Sequence, residues 1–168
     1  MTTPTWALTL AYWAHMLATV VWIGGLTALA FFVLPAGRRA LDDQAYAELL
    51  ETIQRRLDPL GWFSMVVLVG SGLVQMSANP NYQGFLAVNN RWAAAILVKH
   101  LTFGLMVVVS AYLTWGLTPA LRRAALRRAR GGEPFDEVGL RRRESLLLRL
   151  NLILGVLVLA LTALARAS

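Results

Sequence analysis

The chain holds two histidines, His15 and His100, and each lies inside a long apolar stretch. An ionisable side chain in hydrocarbon is costly, so an imidazole there points to function. His15 is nine residues past Trp6, and His100 is eight residues past Trp92. At about 1.5 Å per helical residue, each ring lies roughly 12 to 14 Å below a tryptophan near the start of its helix. Two imidazoles at one depth on two helices of a bundle are what axial ligation of a heme requires, with the iron between the helices. Each histidine taken alone reads better as a neutral ring hydrogen-bonded to a neighbouring helix than as a ligand. The matched depth favours a ligand pair.

The neighbours bear on the same chemistry. Gly104 is one turn beyond His100 on the same face, and its missing side chain leaves room for a porphyrin. Trp22, seven residues after His15, shares that face and can stack on a macrocycle or meet its edge. Lys99, the chain's single lysine, sits beside His100. Adjacent helical residues diverge by about 100°, so the two do not easily face one partner. A cation there suits a heme propionate or an acidic or quinone-type substrate. Copper is the competing metal. Met16, Met65, Met76 and Met106 lie in the apolar stretches, and thioether sulfur suits Cu(I), but the sequence has no Met-rich motif. There is no cysteine, which excludes disulfides and thiolate ligands. The nine acids fall in polar segments or at span edges, so paired membrane carboxylates, a Ser-His-Asp grouping and a phosphate loop are not among the readings.

The elements that must position these residues are membrane helices. Hydrophobic residues make up 57% and charged residues 15%, too apolar a mixture for a soluble core. Uninterrupted apolar stretches predict four spans at about 6–34, 60–77, 92–117 and 146–164, forming one all-α, four-helix membrane domain. The first span should stop at Pro35-Ala36-Gly37, where proline cannot continue a helix. No Lys or Arg precedes Arg38, so the first stretch reads as a retained helix and not a secretory signal. Residues 38–58 repeat Leu41, Ala45, Leu49 and Ile53, which predicts a short amphipathic surface helix. Gly70-Ser71-Gly72 in the second span lets a helix or a flat cofactor approach closely. The turn-forming Asn79-Pro80-Asn81 closes that span. The third span should continue through Pro119 to Arg130, with Gly131-Gly132-Glu133-Pro134 breaking the helix before the Arg141-Arg142-Arg143 run.

Charge sets the orientation. The segments after spans one and three carry twelve arginines, and the segment between spans two and three carries only Arg91. The positive-inside rule places the arginine-rich segments in the cytoplasm and both termini outside. Trp6, Trp13 and Trp92 then suit an outer aromatic belt. A net charge of +7 could suit nucleic acid, but arginines set between spans suit anionic lipid instead.

Trp13-Ala-His15 followed by Val21-Trp22-Ile23-Gly24-Gly25-Leu26 resembles the first helix of the copper-resistance protein D (CopD) family and of the related HemJ-type membrane protoporphyrinogen oxidases. Arg55-Arg56-Leu57-Asp58-Pro59 leading to Gly70-Ser71-Gly72-Leu73, and Trp92 through Leu97-Val98-Lys99, extend the likeness over about residues 10–125. The resemblance implies a four-helix membrane core. In the oxidase branch it also implies a bound heme b, with a functional histidine on the first helix and a lysine on the third, which would be His15 and Lys99. The chain departs from the oxidase pattern after the first motif: Phe31-Phe32-Val33-Leu34-Pro35 stands where that branch has a Leu-Pro-Arg-Leu block and a further histidine. The copper branch commonly occurs as a longer protein or with a periplasmic copper chaperone.

The expectation is a bacterial inner-membrane protein that binds heme b through His15 and His100 and works in electron transfer or oxidation of a membrane-soluble substrate. Its partners would be lipid, a quinone, a porphyrin or a redox protein, in a homo-oligomer or larger complex. Copper binding or transport is one alternative, and a cofactor-free subunit of a membrane complex is another.

Overall fold

The computed structural model describes residues 4–86, 88–130 and 137–167. Among them every regular element is helical: α1 (Thr5–Thr27), α2 (Leu34–Ala40), α3 (Asp43–Ser77), α4 (Arg91–Ala111), α5 (Thr118–Ala129) and α6 (Glu137–Ala167). Four rods are long and apolar enough to cross a bilayer. Rod one is α1 and α2 joined by a π-helical turn at Ala28–Val33, and rod three is α4 and α5 joined by another at Tyr112–Leu117. The predicted break at Gly131-Gly132-Glu133-Pro134 lies outside the described residues.

Two boundaries differ from the sequence reading. The first helix does not stop at Pro35 but runs through it to Ala40. A proline deprives the carbonyl four residues earlier of its usual partner and crowds it. Here the backbone widens just before the ring, with the Leu34 N–H reaching back to the Leu29 carbonyl. The same device precedes Pro119, where the Thr118 N–H reaches the Leu113 carbonyl. The amphipathic segment, expected as a separate short helix, is continuous with the second span through Pro59. Its N-terminus is capped by the Asp42 side chain, which accepts from the Ala45 N–H at 2.8 Å. Asn90 caps α4 in the same way, accepting from the Ala93 N–H at 2.7 Å.

The rods pack as two pairs, α1 on α3 and α4 on α6, and the pairs meet chiefly along α1 and α6. Met76, Trp92, Ala93 and Ala165 cluster at one end. Arg166 lies over the Tyr12 ring at 5.0 Å, bringing the start of α1 to that same end. At the opposite, arginine-rich end, Tyr46 packs with Leu34, Leu50 and Leu148. Gly37 permits that packing, because a Cβ there would meet the Tyr46 ring at 2.9 Å. The middle of the bundle is closed by Ala18, Trp22, Met65, Leu68, Met106 and Leu154.

Much of the outer surface is apolar: Phe31, Phe32, Phe63, Val66, Leu101, Val108 and Ile153 are all exposed. Polar water would make that surface untenable, and a lipid environment suits it. Trp6 and Trp13 are exposed, as an interfacial belt requires, whereas Trp92 is buried inside the bundle.

Candidate functional site

Between the two helix pairs lies a cavity of about 770 Å³, lined by residues of all four rods. This is within the range of cofactor and ligand sites. His15, Trp22, Lys99 and His100 all line it. Lys99 and His100 diverge around their helix, yet the cavity is broad enough to take both. Gly104 is absent from the lining and is exposed, with nothing within 4 Å of where its Cβ would stand.

His15 is held by the second span. Its Nδ1 lies 2.9 Å from Ser71 Oγ. The Ser71 hydroxyl has a single hydrogen, which it gives to the Val67 carbonyl at 2.5 Å. Nδ1 of His15 therefore carries the proton and donates to Ser71, leaving the Nε2 lone pair unprotonated. Gly72 makes the close approach possible: a Cβ there would already sit 3.5 Å from His15 Cε1. His100 reaches the same tautomer by another route. Its Nδ1 is 2.7 Å from the Ile96 carbonyl, which can only accept, so Nδ1 is again the donor and Nε2 the free base. Phe85 of the connecting segment meets the His100 ring edge-on at 5.1 Å. Both histidines thus have Nδ1 anchored, with the Leu68 carbonyl also bonding the His15 ring, the arrangement in which a metal-ligating histidine is oriented by its second nitrogen.

The remaining walls are mainly apolar. Trp22 is buried and meets Phe103 edge-to-face, with ring centroids 5.5 Å apart. Met16, Met76 and Met106 also contribute to the lining, Met76 and Met106 from buried positions and Met16 from an exposed one. Two cations, Lys99 and Arg166, border the cavity, and no carboxylate is among its lining residues. A site with two basic side chains and apolar walls suits a largely apolar ligand carrying acidic groups. Among the described residues, no group of three or more His, Asp or Glu side chains is placed to hold a metal ion.

Three contributors escaped the sequence reading. Ser71 was legible only as a small residue at a helix crossing, although a hydroxyl next to a predicted intramembrane histidine was a signal. Arg166 lies at the chain's end, where its position beside Lys99 depends on how α6 packs. Asn151 is fully buried, and its Nδ2 donates to Ser110 Oγ at 2.8 Å. A lone asparagine amid leucines in the fourth span was a detectable exception to an apolar run.

Four membrane-crossing rods around a histidine-bearing cavity define a multi-pass helical membrane protein. Residues 51–165 match the family model "CopD: Copper resistance protein D", and the chain belongs to that family. It is thus a membrane protein related to copper resistance. The match includes Ser71, Gly72, Lys99 and His100 and begins after His15 and Trp22. No curated protein and no solved structure matches the chain.

Proposed function

We propose that the protein binds heme b between spans one and three, with His15 Nε2 and His100 Nε2 as axial ligands, and acts in electron transfer or oxidation of a membrane-soluble substrate. The observation that carries this reading is that both imidazoles line one cavity while each Nδ1 is anchored to an oxygen, which makes Nε2 the ligand atom of each ring. The volume and apolar walls fit a porphyrin, and Lys99 and Arg166 would take its carboxylates. Ser71 and the Ile96 carbonyl would fix the ring planes and strengthen the ligand nitrogens. Trp22 and Phe103 would exclude water from one wall. Bound heme supplies one-electron chemistry at iron, and the protein tunes it by ligation and burial. The membrane would be the bacterial inner membrane, with the arginine-rich end in the cytoplasm and the cavity toward the outer side.

The test is the absorption spectrum of detergent-purified protein. A sharp reduced band that is lost in His15→Ala and in His100→Ala, with both variants still inserted, supports the assignment. Full heme content in both variants overturns it.

Copper is the second reading, favoured by the family's description and by the Met76 and Met106 side chains in the lining. Thioether sulfur with two imidazole nitrogens is a donor set for Cu(I). Metal analysis separates the readings: copper without heme, lost on His15→Ala or Met76→Leu, would select this one.

A further inference from the structure

Below the outer cavity, toward the arginine-rich end, lies a second and smaller space of about 100 Å³, walled mainly by apolar side chains with a cluster of polar ones set among them. Two of these are buried and incompletely bonded. Glu144 is 2% exposed, and its Oε1 accepts from Gln54 Nε2 at 3.2 Å while its Oε2 has no partner. Asn151 is 0% exposed, and its Oδ1 has no partner either. A buried acceptor left bare is unfavourable, and a space of this size beside two such acceptors has room for about three waters at roughly 30 Å³ each. Ser110 and Thr114 complete the polar wall from the third rod. Asp58 joins it from α3 and accepts a hydrogen bond from the Thr114 hydroxyl.

The small space is continuous in its residues with a wide cavity of about 840 Å³ at the arginine-rich end. Gln54, Asp58, Thr118 and Glu144 line both. On the other side, Trp22 lines both the small space and the outer cavity. Bare acceptors, hydroxyls and two carboxyl groups therefore run from the polar end of the bundle inward to Asn151, and the apolar cluster around Trp22, Met65 and Met106 separates them from the histidine site.

We propose that this line of groups is a hydrated proton inlet, with Asp58 and Glu144 at its mouth and Asn151 at its inner end. A proton taken from bulk water by either carboxylate passes to the adjoining internal water, and the carboxylate is regenerated. The charged groups facing the mouth are Arg141 and Arg38 around Glu144, with Arg55, Arg122 and Arg128 on the wider wall. Asp42, Glu48 and Glu51 are the acids of that wall. The inlet does not depend on what the outer cavity holds. That it would serve redox chemistry there is the one part resting on the heme reading.

Because the chain has no cysteine, single-cysteine variants report on one site each. Ser110→Cys and Thr114→Cys would be exposed to silver ion, a water-sized thiol reagent, added to membranes at the arginine-rich side. Protection from later alkylation in denaturant reads the reaction. Val108→Cys, on the same helix with 63% of its surface open to lipid, is the comparator. The two inlet positions should react at least about tenfold faster, since the reactive thiolate forms only in contact with water. Rates equal to that of Val108→Cys for both would overturn the inlet. The carboxyl groups are read separately by infrared spectroscopy. Protonated carboxyl bands should titrate with pH and shift promptly in D₂O, and Glu144→Gln and Asp58→Asn should each delete one component. Bands that fail to exchange, or that survive both substitutions, would overturn the proton role. Neither readout requires heme, so a failed spectrum in the outer cavity and a dry inlet are distinguishable results.

Discussion

A histidine becomes a ligand only when something fixes its tautomer, and here each ring uses a different anchor. His15 depends on a side chain from another helix, Ser71, whereas His100 depends on its own backbone one turn earlier. The two should respond differently to mutation. Ser71→Ala removes the side-chain partner of His15 Nδ1, leaving only the Leu68 carbonyl on that ring, and should weaken heme retention by about tenfold, the usual range for losing such a partner. Ser71→Thr, which keeps the hydroxyl, should restore most of it; heme titration of the purified variants makes the comparison. Lys99→Met, which keeps the length of the stem and removes the charge, should lower affinity for the intact porphyrin more than for its dimethyl ester. Equal losses for both would mean that Lys99 does not meet a carboxylate. At this scale the sequence was informative about identity and poor about direction. The histidines, Trp22 and Lys99 stood out because polar or bulky groups in apolar runs are rare. Gly104 was assigned to the cavity from its spacing to His100, and the helix instead turns it outward. Gly72, which does lie under His15, sits on a helix whose rotation no spacing rule on the first span could supply.

The elements carry their own lesson in the two proline sites. Pro35 and Pro119 each follow a π-helical turn, so both helices pass a residue that normally ends them. Periodicity gave the four apolar runs, but the continuation past Pro35 and the fusion through Pro59 are decided by packing that a local pattern does not contain. Tyr46 is the clearest case. It was outside the expected Leu41, Ala45, Leu49, Ile53 stripe, yet it is buried against Gly37, while Leu41 is exposed. Its aromatic face is also bordered by Arg141 at 5.0 Å. Gly37→Ala should therefore destabilise the arginine-rich end by about 1 to 3 kcal/mol through overpacking. Gly70→Ala should be nearly neutral, because no atom lies within 4 Å of its would-be Cβ. Thermal unfolding in detergent measures both, and an equally large loss at Gly70 would contradict this account.

Across the molecule, every acid among the described residues lies on the arginine-rich half, and the charged side chains lining the histidine cavity are basic alone. The orientation proposed from arginine placement can be checked without any assumption about function. Asn81→Cys should react with an impermeant maleimide added outside intact cells, and Arg143→Cys only after the membrane is opened. The reverse pattern would invert the topology, and with it the side from which the inlet fills.

The two helix pairs touch chiefly along one seam, α1 against α6, and the cavity occupies the space where a second seam would otherwise form. A molecule bound there would act as a rivet at the outer end, distant from the Gln54–Glu144 and Arg38–Ser145 hydrogen bonds that join the halves at the arginine-rich end. Since only the folded bundle offers that site, its occupant should raise the melting temperature with increasing concentration by mass action. The emptied protein should spread first along the gap, with α1 and α3 leaving α4 and α6 as intact two-helix leaves.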